Sequence, residues 1–332
     1  MKLKKCLSVL LVLVMSALAL TGCGGGGEKK QSSGAAKGEK ILVTEAFHSL
    51  LYLPLYVAND KGFFKEAGIE VSSIRSAGSG PAALSAVLSG EAAFSVHGPE
   101  HVAFAKEKGG EARALSAVAN CAPVWVLAKE GVDIKSVADF KGKSVITGLA
   151  PSTHNTLFRK LMKDNGIEIG KDVTITEVQN NSELGPVLAG KADISVVYEP
   201  VASEGLNQKL HMVHDFTKDY PEFAFSTVNT SLKMIKEKPE LVKSFVAAMD
   251  KALDYIHKNP AEAKAVAKKE FPNMDPKVVE SAVQRMIDSN VYLPSGKVTE
   301  KAYQNAIDIQ KFIGHIKKDI PYSEMVDPSF TK

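Results

Sequence analysis

Short apolar runs alternate with helical stretches along most of this chain, from Lys40 onward. The runs at 41–43, 144–146 and 194–197 have the length of buried strands, whereas 54–66 is a longer segment that opens at a proline, as many helices do. Strands that alternate with helices are typical of α/β proteins built on largely parallel sheets. We therefore predict an α/β fold.

The same pattern divides the chain into two lobes. The stretch from Gly131 to Phe225 reads as a second α/β unit inserted into the first. We place lobe 1 at 40–128 and 226–332, and lobe 2 at 129–225. The chain then crosses between the lobes twice, which creates a hinge and a cleft where ligands of α/β sheets collect. The last part of lobe 1 is predicted to be helical from apolar residues at i, i+4 spacing. They are Leu241, Phe245, Met249, Leu253 and Ile256.

The first 23 residues have the pattern of a secretory leader. Three lysines precede an uncharged segment, 7–20, which is shorter than the roughly 20 apolar residues of a spanning helix. It ends in Leu20-Thr21-Gly22-Cys23, which resembles the bacterial lipoprotein signal, where the cysteine is acylated. We therefore predict a signal peptide at 1–22, a lipidated Cys23 and a flexible tether at 23–39. The protein is expected at the cell membrane, lipid-anchored on the extracytoplasmic face.

The charge and cysteine content exclude several classes of protein. Without the three lysines of the leader, the 41 basic residues become 38, which equals the 38 acidic residues. A net charge near zero argues against a nucleic-acid partner, for which a clustered basic excess is expected. With Cys6 removed and Cys23 lipidated, only Cys121 remains, so no intrachain disulfide is possible. We expect a monomer that is stabilised by its core.

Loops that follow a predicted strand and lead into a helix are the candidate ligand contacts, because ligands of α/β sheets bind beyond the strand ends. Free N–H groups at a helix start would suit an anion or a polarised oxygen. Trp125 and Tyr198 are candidate stacking faces, although a structural role fits each of them equally. The predicted ligand-binding residues are Phe47, His48, Tyr52, Ser79, Gly80, His97, Glu100, Trp125, Ser152, Thr153, His154, Tyr198 and Glu199.

One of these loops also matches a metal-binding pattern. His97 to His101 has the form H-x-x-E-H, as in a class of zinc peptidases. That pattern needs both histidines on one turn of a continuous helix, whereas Pro99 disfavours helix at Gly98. We therefore predict no metal site. The alternative function is a lipid-anchored extracytoplasmic enzyme or metal-binding lipoprotein that uses His97, Glu100 and His101.

Enzyme motifs are otherwise missing from the sequence. No serine lies in a G-x-S-x-G pattern, and the three cysteines form no CxxC pair. We therefore predict no catalytic residues and no cofactor.

An ordered set of short segments resembles the substrate-binding proteins of the nitrate/sulfonate/taurine ABC transporter family, whose relatives also bind thiamine-precursor pyrimidines. The resemblance spans most of 40–200 and implies a two-lobed type II periplasmic-binding fold. It also implies a closing cleft, delivery of a small-molecule ligand to ABC permease subunits, and no catalysis. Thr153-His154-Asn155 after Gly148 resembles the alkanesulfonate-binding branch. The segments are 54–58, 61–64, 68–71, 88–93, 137–143 and 188–193.

The charge of the ligand stays open at this stage. Four of the eight histidines fall in the predicted cleft loops together with Glu100 and Glu199, and no arginine is evident there. A strongly anionic ligand usually attracts an arginine fork. Carboxylates and aromatic rings instead suit a ligand with N–H donors, such as an aminopyrimidine. Against this, a sulfonate can be bound by helix N-termini alone, and 153–155 favours it.

Overall fold

The computed structural model describes residues 38–331. The predicted signal peptide, Cys23 and all but the last two residues of the predicted tether lie outside the described residues. The tether was predicted to run too far, because Glu39 already belongs to the first strand. Its N–H donates to the carbonyl oxygen of Gly68 at 2.9 Å, which ties the start of the strand to the body of the protein.

Residues 38–331 contain ten strands and fourteen α-helices in α/β order. The strands are β1 (Glu39–Glu45), β2 (Ile69–Ser76), β3 (Phe94–His97), β4 (Ala112–Ala119), β5 (Trp125–Ala128), β6 (Ser144–Gly148), β7 (Thr174–Val178), β8 (Ile194–Val197), β9 (His211–Asp215) and β10 (Ser226–Ser231). The helices are α1 (Leu53–Asp60), α2 (Phe63–Glu66), α3 (Gly80–Leu88), α4 (Glu100–Glu107), α5 (Thr153–Asp164), α6 (Leu184–Leu188), α7 (Val201–Asn207), α8 (Phe216–Asp219), α9 (Leu232–Glu237), α10 (Pro239–Lys258), α11 (Pro260–Glu270), α12 (Pro276–Asp288), α13 (Glu300–Phe312) and α14 (Tyr322–Met325).

Within the described part, the strands form two sheets of the same design. The first sheet has the order β2-β1-β3-β10-β4 and the second has the order β7-β6-β8-β5-β9. In each five-stranded sheet, four strands run in one direction, and β10 or β5 is antiparallel to both of its neighbours. The predicted α/β fold with two lobes is thus confirmed.

The helices follow the apolar pattern, with one break that the sequence analysis did not predict. The segment predicted as one helix, 54–66, consists of α1 and α2, because Gly62 adopts a left-handed conformation with φ of 77°. Glycine reaches this region without the steric penalty that other residues carry. In α10 the predicted apolar face is buried throughout. This helix packs against α1 and α2, which places the C-terminal helical part on the first sheet.

Two segments of chain connect the sheets and lie side by side. One is 120–124, between β4 and β5, and the other is 220–225, between α8 and β10. The N–H of Ala122 donates to the carbonyl oxygen of Tyr220 at 3.1 Å, and the N–H of Phe223 donates to that of Asn120 at 3.1 Å. Strand pairing therefore puts β5 in the second sheet, whereas the predicted boundary at 128 left it in lobe 1.

The carboxyl ends of the parallel strands carry the loops in which ligand contacts were predicted. These are the loops after β1, β2 and β3 in lobe 1, and after β6 and β8 in lobe 2. Between residues 38 and 331, no helix combines the length and apolarity that a membrane crossing requires.

Candidate functional site

The loop after β1 is fastened to the C-terminal helices by His48. Its ring stacks on Phe271 with centroids 4.4 Å apart, and its Nε2 lies 3.2 Å from the carbonyl oxygen of Glu270. Its Nδ1 lies 3.1 Å from Glu45 Oε1. The neighbouring Phe47 is 55% exposed. His48 therefore holds the loop in place, and Phe47 is open to solvent.

Glu45, at the end of β1, is a buried carboxyl that the sequence analysis missed. Its Oε2 accepts a hydrogen bond of 2.6 Å from the hydroxyl of Tyr56. Burial raises the pKa of Glu45, and the hydrogen bonds from Tyr56 and His48 offset part of that rise. Its position as the last residue of a buried strand was the available signal, since strand ends face the cleft.

Groups from both lobes influence the pKa of Tyr52. This residue is buried in a single 3-10 turn just before α1. Burial raises the pKa of Tyr52, and the charges of Glu45, Glu100 and Tyr198 raise it further. Tyr198 follows β8 in lobe 2, whereas the other three residues belong to lobe 1. Three predicted residues, Tyr52, Glu100 and Tyr198, are thus linked electrostatically across the two lobes.

Ser79 and Gly80 have structural roles at the start of α3. Ser79 Oγ accepts a hydrogen bond of 3.3 Å from the N–H of Ala82, so Ser79 is the N-cap of this helix. A Cβ at Gly80 would lie only 2.3 Å from the ring of His101. Glycine is therefore required where that ring packs, and both predicted residues have a structural task.

The three residues of the alternative metal site have separate environments. His97 is fully buried, with Nε2 2.9 Å from Ser95 Oγ and Nδ1 2.9 Å from the carbonyl oxygen of Gly98. Burial lowers the pKa of His97 to about 3. Both ring nitrogens thus have hydrogen-bond partners within lobe 1. His97 was predicted to contact the ligand, and the structure instead gives it a structural role. The carboxylate of Glu100 lies 3.5 Å from His101 Nδ1. Nowhere in 38–331 do three or more His, Cys, Asp or Glu side chains group in a way that could hold a metal ion.

In lobe 2, a network of hydrogen bonds fixes the loop after β6. Asn155 Nδ2 donates to the carbonyl oxygen of Gly148 at 2.8 Å, and Asn155 Oδ1 accepts from Arg159 Nε at 2.7 Å. Arg159 Nη2 lies 2.7 Å from Glu177 Oε1, and Glu177 Oε2 accepts from the N–H of Ala150 at 3.1 Å. That backbone bond, with the contacts to Asn155 and Arg159, lowers the pKa of Glu177.

The N-terminus of α5 is occupied by Tyr198. The N–H of His154 donates to the Tyr198 hydroxyl at 3.0 Å, and the two rings are 4.3 Å apart in an edge-on arrangement. Burial raises the pKa of Tyr198, and its contacts with His154 and Thr153 offset part of that rise. Ser152 stands at the N-cap, yet its Oγ is buried without a hydrogen-bond partner within the described chain. Four predicted residues, 152–154 and Tyr198, therefore lie together.

His154 also contacts a buried acid that the sequence analysis missed. Its Nε2 accepts from the N–H of Gly148 at 2.8 Å and lies 3.3 Å from Glu183 Oε1. Both His154 and Glu183 are almost completely buried, at 0% and 2% exposure. Neither His154 Nδ1 nor Glu183 Oε2 has a hydrogen-bond partner among residues 38–331.

Glu199 and Trp125 are placed away from an open cleft. Glu199 Oε1 accepts from Arg285 Nε at 2.7 Å and from Ser203 Oγ at 2.9 Å, and its Oε2 accepts from the Ser203 N–H at 3.0 Å. Burial raises the pKa of Glu199 in spite of these bonds. Trp125 is fully buried in the core, and its indole N–H is unpartnered within 38–331. Arg285 could not be linked to Glu199 from sequence, because the pair is 86 positions apart.

The site as a whole is lined by aromatic rings and carboxyl groups. Tyr198 stands between the ring of His154 and that of Phe225, whose centroid is 5.8 Å away. Such a surface can stack on a flat ligand, hydrogen-bond its polar edge and exclude water when the lobes close.

Comparison with known proteins finds a family model and two relatives that are named as binding proteins. A family model described as NMT1/THI5 like matches residues 51–263. YtlA of Bacillus subtilis (strain 168), provisionally named a binding protein, is 24% identical over 296 residues, which cover 87% of each chain. RibY of Chloroflexus aurantiacus, named a riboflavin-binding protein, is 26% identical over 227 residues, or 65% of this chain and 61% of RibY.

A solved structure shows the same fold. The periplasmic aliphatic sulphonate binding protein SsuA from Escherichia coli matches with a TM-score of 0.70 at 16% identity, over 88% of this chain and 93% of SsuA. Together with the family model, which spans well over half of the chain, this confirms the resemblance drawn from the sequence motifs. The chain therefore belongs to the NMT1/THI5-like family and has the two-lobed fold of the solute-binding proteins of ABC import systems.

Proposed function

We propose that the protein is an extracytoplasmic solute receptor that binds a small organic ligand in the interlobe cleft and delivers it to an ABC permease. The observation that carries this proposal is the fold of two sheets joined by paired connecting segments, in which the pKa of Tyr52 in lobe 1 responds both to Glu100 and to Tyr198 of lobe 2. Aromatic and hydrogen-bonding groups from both sides suit a small molecule enclosed between them. The family, the fold and the names of YtlA, RibY and SsuA favour a receptor over an enzyme.

The proposed organisation of the chain follows the predictions, with boundaries adjusted to the strand pairing. It consists of a signal peptide at 1–22, a lipidated Cys23 with a short tether, and the two lobes. Lobe 1 takes residues up to 119 and from 226 onward, and lobe 2 takes 125–219. A monomer held in this way stays at high local concentration near its permease. Full-length Cys23→Ser protein should leave the membrane fraction, whereas Cys121→Ser protein should remain there.

Two ligand classes are supported by different observations. A sulfonate or a nitrate-like anion would replace the Tyr198 hydroxyl as the acceptor for the first-turn N–H groups of α5. The arginines around the lobe 2 loops are already engaged, Arg159 by Glu177 and Arg285 by Glu199. Since a strong anion usually binds a free guanidinium fork, an aminopyrimidine or a similar ring with N–H donors is the other class.

Ligand-linked stabilisation tests the proposal. Native mass spectrometry of full-length protein in detergent should find a retained small molecule. A true ligand at 100 times its Kd should add about 2.7 kcal/mol to the free energy of unfolding, which a melting scan detects readily. Glu100→Gln should reduce that stabilisation, whereas Glu91→Gln, in an exposed pair with Arg75, should not.

Two outcomes would count against the proposal. Chemical conversion of the bound ligand would indicate an enzyme. A chain that retains no molecule and is stabilised by no sulfonate, nitrate or aminopyrimidine would not be a receptor for these compounds.

A further inference from the structure

An ion pair joins the two lobes directly. Arg285, on α12 of lobe 1, donates from Nε to Oε1 of Glu199 in lobe 2 at 2.7 Å. The side chain of Glu199 is 0% exposed and that of Arg285 is 25% exposed. Every other ion pair between side chains of residues 38–331 lies within one lobe or, as for Lys301 and Glu222, involves a connecting segment. A buried charge contact thus lies across the boundary between the lobes.

On the lobe 2 side, this ion pair is attached to the wall of the cleft. Glu199 directly follows Tyr198, whose hydroxyl accepts from the N–H of His154 at the start of α5. Both residues come just after β8, at the strand ends where ligands of α/β sheets bind. Ser203 holds the same carboxylate through its N–H and its hydroxyl. A shift of Glu199 would therefore also move Tyr198, because the two residues are adjacent in the chain.

On the lobe 1 side, α12 is fastened to the loop after β1 and to a connecting segment. Just beyond the helix, the hydroxyl of Tyr292 donates to the carbonyl oxygen of Leu50, in the 3-10 turn that precedes α1. The neighbouring Val291 accepts at its carbonyl oxygen from the N–H of Asn120 at 2.9 Å. The helix that carries Arg285 is therefore fixed to lobe 1.

Arg285 also has other carboxylates within reach when it is not bound to Glu199. It lines a groove of about 430 Å³ between α11 and α12, whose walls include Glu280 and Asp288. Asp288 is three positions further along α12, a spacing at which charged side chains of a helix interact. Glu199 in turn keeps its bonds from Ser203 when the guanidinium leaves. Since both partners have an alternative, the contact can form in one arrangement of the lobes and break in another.

We propose that Arg285 is a positioning residue, which fastens the Tyr198–Glu199 wall of lobe 2 to α12 and favours the interlobe arrangement seen in the structure. Its value to ligand capture rests on the proposed receptor function. A contact that is made in only one arrangement shifts the population toward it. A hydrogen bond between charged groups corresponds to about 10- to 150-fold in an equilibrium constant. Removing the contact should lower the ratio of this arrangement to a more open one by about that factor.

The distance between spin labels at Ser76→Cys and Gln179→Cys measures the arrangement in ligand-free, full-length protein in detergent. Both positions are exposed, and they lie at the carboxyl ends of β2 and β7, which are the corresponding outer strands of the two sheets. Cys121 is buried and Cys23 is proposed to be lipidated, so neither should take up the label.

Arg285→Met should replace the main distance by a longer one, and Arg285→Lys, which keeps the charge, should restore part of the original population. Lys268→Met is the matched control, because it breaks a pair with Glu280 on the same helix but within lobe 1, and it should leave the distance unchanged. Glu199→Gln removes the charge from the other side and should act like Arg285→Met. The double variant should shift the distance no further than either single variant does.

Three results would overturn the assignment. An unchanged distance in folded Arg285→Met and Glu199→Gln proteins would mean that α12 and lobe 2 move together. An equal shift in Lys268→Met would indicate a general loosening of α12. A larger shift in the double variant than in either single variant would mean that Arg285 and Glu199 act independently. Because no ligand is present, these distances decide the role of Arg285 even if mass spectrometry and melting scans contradict the receptor function.

Discussion

Replacing Arg285 with methionine removes the counter-charge of a carboxylate buried between lobe 2 and the C-terminal helices. Arg285 Nε lies 2.7 Å from Glu199 Oε1, and the side chain of Glu199 is 0% exposed against 25% for Arg285. The variant keeps both bonds from Ser203 to Glu199. Breaking a buried ion pair from one side costs about 3–5 kcal/mol. Because Arg285 is partly exposed, we expect about 3 kcal/mol, the lower end of that range.

The pH dependence of this loss follows from Glu199. Burial raises its pKa above the ordinary value of 4.5, so the folded state binds the proton more tightly than the unfolded state does. Stability then falls as the pH rises from 4.5 through the folded-state pKa. Without the guanidinium that pKa rises further. The loss of unfolding free energy in the Arg285→Met variant should therefore be largest at neutral pH. It should be smaller in acid, where Glu199 is protonated.

Urea unfolding at neutral pH and at about pH 4, below the ordinary glutamate range, measures this difference. Arg75→Met is the control, because Arg75 and Glu91 form an exposed pair at 2.7 Å. Exposed pairs contribute about 0–1 kcal/mol. An Arg285→Met deficit that is equal at the two pH values, or no larger than that of Arg75→Met, would refute the reasoning.

Two further predictions concern buried positions of lobe 1, and exposed Gly185 of lobe 2 is the control for the second. Burial lowers the pKa of His97 to about 3, so stability should fall by about 1.4 kcal/mol per unit as the pH drops from 6.5 toward that value. His97→Gln should remove this slope in acid titrations followed by circular dichroism. Gly80→Ala should cost about 1–3 kcal/mol in urea unfolding, because its Cβ would meet the His101 ring at 2.3 Å. Gly185→Ala has open space and should stabilise α6 by about 0.5–1 kcal/mol. A loss for Gly185→Ala equal to that for Gly80→Ala would contradict the packing argument.

Local pattern was sufficient for most elements of the fold. The strand at 194–197 was predicted to the residue, because it is short, apolar and flanked by turn signals. Strand β9 was missed, since His211, His214 and Asp215 interrupt its apolar residues and every position is only partly buried. The break at Gly62 was missed because a glycine inside a helical pattern is compatible with either outcome.

The site was less predictable, because its hydrogen bonds join distant parts of the chain. Sequence reasoning selected loops at the carboxyl ends of the strands, and two of the residues chosen there, His154 and Tyr198, are in contact. It could not show that the ring nitrogens of His97 are engaged within the first sheet. There the ring also contacts Asn229, which is 132 positions away in the sequence. Glu183 carried no local signal, since an acid before a short helix is common on any surface.

The paired connecting segments, 120–124 and 220–225, have a mechanical consequence. Two parallel links bonded along their length resist sliding and twisting, and leave rotation about the line between them as the easy motion. Relative movement of the lobes then has one main degree of freedom, which is rotation about this axis. A single distance across the mouth of the cleft, measured between spin labels on the two lobes, should describe the whole motion. To a partner, the relative position of the two lobes is then described by this one angle.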